Sequence, residues 1–298
     1  MTSLSVPSAR PFGLGRLFVR FPAHGYFVGS AVFHYLGPSF AVLLFARVAP
    51  LGVAWMRIVS AAVLFAVWRR PWRFLAVLDR ETRRSLLELG LVLAAMNGCF
   101  YLAIDRLPLG TVAAIEFLPV ILLAALGVRS VRNGLALALA VAGVYVLTDV
   151  RFASEPLGIA FAFANAALFA LYIVLAHRVA RSRVLAGIDG LAAAMLVAAL
   201  AITPIGGVSA ASAVLDPVAI GAGIGVGVAS SVIPYVCDQL AMARLTRATY
   251  SLLVALLPAT ATVVGIVVLT QVPSWLEVGG VALVVAAVGI HREAKEPA

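Results

Sequence analysis

With 298 residues, 63% of them hydrophobic and only 12% charged, and a mean hydropathy of +1.08, the chain has too little polar side chain to clothe a soluble domain. Its apolar runs are continuous rather than alternating, which excludes a transmembrane β-barrel and leaves a bundle of spanning helices. The net charge of +9 would point a soluble chain toward nucleic acid; here the arginines fall between apolar runs and act as topology signals, so no nucleic-acid partner is expected.

Residues 1–21 are polar, with Arg10, Arg16 and Arg20, and no short apolar core with a small-residue cleavage site follows. The first span is therefore expected to be retained, with 1–21 and 292–298 as cytoplasmic tails. Spans are predicted near 22–46, 52–68, 86–105, 108–128, 133–149, 156–178, 190–207, 218–241, 249–270 and 275–291, ten helices in all. Loops on the amino-terminal side hold 18 arginines and lysines, against three, Arg47, Arg106 and Arg151, on the other; Arg57 lies within span 2. This bias puts both termini in the cytoplasm. Residues 69–85, basic with interleaved aromatics, are expected to lie along the inner surface of the lipid bilayer. Cys99 and Cys237 both fall inside predicted spans and give no disulfide framework.

The hairpin from Asn97 to Gly127 returns 138 residues later. Between 99 and 127 eight positions are identical at that offset, among them Cys99/Cys237, Arg106/Arg244, Thr111/Thr249 and Gly127/Gly265. This reads as a duplication, with 22–149 and 156–291 as its halves. Each half has five spans, an odd number, so the second must be inverted relative to the first. The expected fold is an all-α integral membrane protein of ten transmembrane helices in two inverted five-helix repeats, an architecture of secondary transporters that bind substrate at the midplane.

Polar residues are concentrated in spans 1, 3, 4, 6, 8 and 9, which are expected to surround a cavity, while spans 2, 5, 7 and 10 act as scaffold. The candidate substrate-binding residues are His34, Tyr35, Asn97, Tyr101, Glu116, Asn165, Ser231 and Tyr235. Pro38, Pro119, Pro234 and Pro258 are placed inside spans 1, 4, 8 and 9, freeing the carbonyls of His34, Ile115, Ser230 and Val254 as kink sites. Gly221, Gly223, Gly225 and Gly227 in span 8 allow another helix to approach closely.

Glu116 is the one acidic group expected near the midplane, where a carboxylate costs ~2.5 to 3.5 kcal/mol unless it faces protein or water. Desolvation there disfavours its charged form and a substrate ammonium favours it, so proton and substrate could compete for one carboxylate, as exchange requires. The alternative is a protonated Glu116 that only bonds a neighbour such as Asn97; His34 is the next coupling candidate.

An enzyme is not expected. Asp105 and Asp238 lie toward opposite membrane faces and cannot form an aspartyl dyad, His-Glu-x-x-His is absent, and Ser230 and Ser231 lack flanking glycines. Four scattered histidines make no metal site, and no cofactor is called for.

Asn97-Gly98 followed by FYLAIDRLPLG, Ala-Ile-Glu-Phe at 114–117 and PYVCDQLAMARL at 234–245 resemble the threonine/homoserine-exporter group of the EamA-type drug/metabolite transporters. Arg57 early in span 2 and Ala-Gly-Val-Tyr at 142–145 extend the resemblance over nearly the whole chain. It implies ten helices in two inverted repeats, a bacterial inner-membrane location, and efflux of small metabolites, often amino acids. Two positions depart from the family pattern: Leu257-Pro258 stands where Glu-Pro is common, and Gln271 where a glutamate is common after span 9. The expected function is a secondary transporter exporting amino acids such as threonine or homoserine by alternating access, coupled to protons. A broader drug or metabolite exporter is the alternative within transport, and a passive pore the one outside it.

Overall fold

The structure is a computed structural model that describes residues 22–75, 78–127, 130–152, 154–180, 187–211, 213–242, 244 and 256–290. The two tails, and Thr249 to Ser251 of the ninth predicted span, lie outside the described residues.

Among the described residues ten principal helices follow one another: α1 (Ala23–Leu44), α2 (Pro50–Arg69), α3 (Arg80–Ile104), α4 (Leu109–Gly127), α5 (Val131–Phe152), α6 (Pro156–Ala180), α7 (Gly187–Ile202, extended by a π turn at Thr203–Gly207), α8, α9 (Leu257–Leu269) and α10 (Trp275–Ile290). Helix α8 runs from Pro217–Gly227 through a π turn at Val228–Val232 into Ile233–Met242. Among the described residues, six of these helices, α1, α2, α3, α6, α7 and α8, are long and apolar enough to cross a membrane, and the apolar stretches described for the other four are shorter. At about 1.5 Å per residue, ~20 residues match the ~30 Å hydrocarbon core.

The expected surface segment is largely helical. Asp79 Oδ1 accepts from the Thr82 backbone N–H at 2.9 Å and Glu81 occupies the first turn, so α3 starts at Arg80 and absorbs the polar residues 80–85. An acidic cap and first turn suit the positive end of a helix. Among the described residues Trp72–Leu75 forms a separate turn within the predicted surface element. The described part of α9 starts at Leu257 with Pro258 in its first turn, and Val254, whose carbonyl Pro258 was expected to free, lies outside the described residues.

Packing is interleaved between α1–α5 and α6–α10. Helix α3 lies on α6 and α7, α8 on α1 and α2, α5 on α10, α2 on α7, α1 on α9, and α4 on α5, α6, α9 and α10. The α5–α10 crossing needs two glycines: a Cβ at Gly143 would lie 2.7 Å from the Gly280 carbonyl oxygen, and one at Gly280 3.0 Å from that of Gly143. In α8 the glycine stripe divides. Gly223 and Gly227 face Met56, Arg57 and Ser60 of α2, whereas Gly221 and Gly225 meet nothing within 4 Å.

Polar contacts tie the helix ends. Arg47 pairs with Asp216 at 3.0 Å, Arg69 with Asp189 at 2.6 Å, and Trp55 Nε1 donates to Thr203 Oγ1 at 2.9 Å. Ser274 and Glu277 form a reciprocal capping box on α10: the Ser274 N–H donates to Glu277 Oε2 at 2.9 Å, and the Glu277 N–H to Ser274 Oγ at 3.3 Å. Gln271 Oε1 accepts from the Leu109 N–H at 3.2 Å, joining the end of α9 to the start of α4.

Candidate substrate-binding site

The site is built around the π turn of α8. The sequence there is Val228-Ala-Ser-Ser-Val-Ile-Pro234, and proline cannot donate to the Ser230 carbonyl four residues back. A π turn is a common form for a helix that carries function at such a place. Small residues let two neighbours reach it. On α1, a Cβ at Gly37 would stand 2.8 Å from the Ser230 backbone nitrogen; on α8, one at Gly227 would stand 2.8 Å from the Arg57 carbonyl oxygen.

Arg57 of α2 fills the space this creates. Its Nη2 donates to the Ser230 carbonyl oxygen and its Nε to Ser231 Oγ, each at 3.2 Å. The guanidinium lies 5.6 Å from the centroid of the Tyr101 ring of α3, in cation–π range. The Tyr101 hydroxyl faces Arg57 and Ser230, yet Tyr101 Oη and Ser230 Oγ are both buried without a hydrogen-bond partner.

Glu116 sits on α4, three residues before Pro119. Asn165 Nδ2 of α6 donates to Glu116 Oε1 at 3.1 Å, while Asn165 Oδ1 is buried and unpartnered. Asn165 is fully buried and Glu116 partly so. On α1, Tyr35 is within electrostatic reach of Glu116, and the His34 ring meets the Tyr35 ring edge-on with centroids 5.3 Å apart. His34 and Glu116 both feel the charge of Arg57. Ser39 Oγ donates to the Tyr35 carbonyl at 2.9 Å beside the Pro38 interruption, and Ser30 Oγ to the Pro234 carbonyl at 3.3 Å, tying α1 to α8.

This constellation has no nucleophile set against a base. Among the described residues no group of three or more His, Cys, Asp or Glu side chains could hold a metal ion. It has the character of a binding site rather than a catalytic one. The threonine/homoserine exporter RhtA of Salmonella typhimurium (strain SL1344) is 30% identical over 254 residues, 84% of each chain. The exporter of the same name from Escherichia coli (strain K12) is 30% identical over 255 residues, again 84% of each. The model of the EamA-like transporter family matches residues 156–291. The chain belongs to the EamA-like transporter family. It is a membrane transporter and not an enzyme. A solved crystal structure, described simply as that of a protein, superposes with a TM-score of 0.57 over 90% of this chain and 95% of that one at 17% identity, which shows a shared fold.

Within this EamA-like transporter the structure gathers most of the residues singled out from sequence. His34, Tyr101 and Ser231 lie about Arg57, whose charge also reaches Glu116, and Tyr35 and Asn165 stand with Glu116. Asn97 is placed differently. Its Nδ2 donates to the Leu93 carbonyl one turn back on its own helix at 2.8 Å, so the neighbour bonded to Glu116 is Asn165 rather than Asn97. Tyr235 is half-buried and packs against the cluster of Phe65 and Met195. Thr111 lines a cavity of about 140 Å³ between the ends of α4, α9 and α10, together with Thr262 and Gln271.

The residue that sequence reasoning missed is Arg57. The polar count places span 2 in the scaffold, whereas α2 contributes a cation to the site. The signal was present: Arg57 is the arginine that the loop count left inside a span, and an intramembrane charge is a functional candidate by default.

Proposed function

We propose that this protein is a secondary active exporter of small metabolites, amino acids such as threonine and homoserine foremost, working by alternating access with proton exchange. The observation that carries the reading is Glu116, an acid inside the bundle with one oxygen held by Asn165 and the other without a described partner. One carboxylate that can take either a proton or a substrate ammonium is the minimum that exchange needs. The relatives at 30% identity, which bear the name of threonine/homoserine exporters, support the substrate class.

The same reading takes 22–149 and 156–291 as two inverted five-helix repeats. Contact partners support it, because they exchange on going from one half to the other. Helix α3 lies on α6 as α8 lies on α1; α3 on α7 as α8 on α2; α4 on α6 as α9 on α1; and α2–α7, α4–α9 and α5–α10 map onto themselves. The site is assigned to His34, Tyr35, Tyr101, Glu116, Asn165 and Ser231 about Arg57, with both termini in the cytoplasm of a bacterium and the bundle in its inner membrane.

Counterflow in proteoliposomes tests the function. Uptake of labelled threonine should be stimulated several-fold by unlabelled threonine or homoserine trapped inside. A flux that ignores the trans substrate would make the protein a pore.

A further inference from the structure

The geometry points to Arg57 as the anchor for the carboxylate of a zwitterionic α-amino acid, with Glu116 and Asn165 receiving its ammonium group. The inference rests on the amino-acid reading above and assigns each end of the substrate to a named side chain.

Arg57 brings five N–H donors in a planar fork. Two are used, one on Ser231 Oγ and one on the Ser230 carbonyl, both neutral acceptors. Among the described residues no carboxylate pairs with it. Those two bonds leave further donors of the fork for an incoming anion. The Tyr101 hydroxyl faces the fork and Ser230 Oγ without closing a hydrogen bond to either, and both hydroxyls are buried there as donors. Charge-assisted bonds from a fork and two hydroxyls are what a carboxylate accepts best.

The opposite end has complementary chemistry. Glu116 is in the electrostatic reach of Arg57, yet the two do not close into an ion pair. Its second oxygen and Asn165 Oδ1, the third buried atom without a partner, are acceptors. An ammonium group offers three donors and no acceptor. Asn165 Oδ1 beside the acid is buried without a partner, and the facing Tyr101 and Ser230 hydroxyls beside the cation close no hydrogen bond, so the interior offers polar atoms that a ligand would satisfy.

Charge balance selects the substrate class. A cation without a carboxylate would leave the fork of Arg57 unanswered, and an anion without an ammonium would leave Glu116 so. A zwitterion answers both and carries no net charge through the bilayer.

The test is a ratio of transport efficiencies in proteoliposomes, L-threonine against L-threoninamide, which differ only in carboxylate against carboxamide. The wild-type protein should favour threonine by about tenfold or more, the scale of one charged hydrogen bond. Arg57→Gln should bring the ratio close to one, and Arg57→Lys should keep part of it. A merely structural arginine would lower both rates and leave the ratio alone, so an unchanged ratio in Arg57→Gln overturns the assignment. Where Arg57→Gln fails to fold, Tyr101→Phe removes only the unpartnered hydroxyl and should lower the ratio several-fold; a wild-type ratio there overturns it equally. A wild-type protein that carries neither compound, but does carry other metabolites, defeats the amino-acid reading itself and the proposal with it.

Discussion

Arg57 Nη2 donates at 3.2 Å to the carbonyl oxygen of Ser230, the acceptor that Pro234 leaves without its helical N–H. The proline therefore does more than bend α8. It exposes a backbone acceptor inside the bundle, and an arginine from another helix takes it up. A charged group in hydrocarbon needs such partners, and the π turn with its two serines supplies them.

Replacement of Glu116 by glutamine should separate coupling from binding geometry. Glutamine keeps the size of the side chain and can still bond Asn165, but cannot exchange a proton. Efflux driven by an imposed pH gradient should vanish in proteoliposomes of Glu116→Gln, while exchange of substrate for substrate continues. Full proton-driven efflux would clear Glu116 of the role and move attention to His34.

Two glycines two residues apart should respond in opposite ways. Gly227 lies against Ser60 and the Arg57 carbonyl, so Gly227→Ala forces α8 off α2 and should cost about 1 to 3 kcal/mol. Gly225 meets nothing within 4 Å, and Gly225→Ala should be neutral or stabilising by up to about 1 kcal/mol through helix propensity. Thermal midpoints in detergent compare the two directly. Equal midpoints would mean that α8 does not approach α2 as closely as described.

Acid sensitivity should appear at the Asp216 cap of α8. Hydrogen bonds from the Ala219 and Val218 backbone N–H groups, and then Arg47, hold its carboxyl below the ordinary value of 3.8. A carboxyl lowered in the folded state stabilises fully above the unfolded value and loses that contribution as pH falls through the folded one. The difference in thermal midpoint between the wild-type protein and Asp216→Asn should thus be constant near neutrality and shrink below pH 3.8. A gap that persists unchanged into that acid range would refute the assignment.

The helices were legible in the sequence because continuous apolar runs of spanning length admit little else, and α1, α2, α6 and α10 fall within a few residues of their predicted bounds. The start of α3 was not, because arginine-rich polarity masked the Asp79 cap. The π turns of α7 and α8 had no hydrophobic signature either, since a widened turn keeps the composition of its helix. In the site, Glu116 stood out as an acid among apolar residues. Its partner Asn165 is 49 positions away on α6, and sequence spacing cannot say which helix faces which. Arg57 went unweighted because arginines were read as loop markers.

The interleaving of α1–α5 with α6–α10 bears on how the chain is born. The principal partners of α1, α2 and α3 are α6, α7, α8 and α9, all made later. A nascent chain halted after α5 would hold Arg57, Tyr101 and Glu116 in lipid with neither Ser231 nor Asn165 yet made to meet them. The segment that a family profile recognises, 156–291, is therefore not a unit that matures alone. A chain truncated before α8 would carry Arg57 inside the bundle without the serine hydroxyl and carbonyl that hold it, so the site is completed only by helices made late.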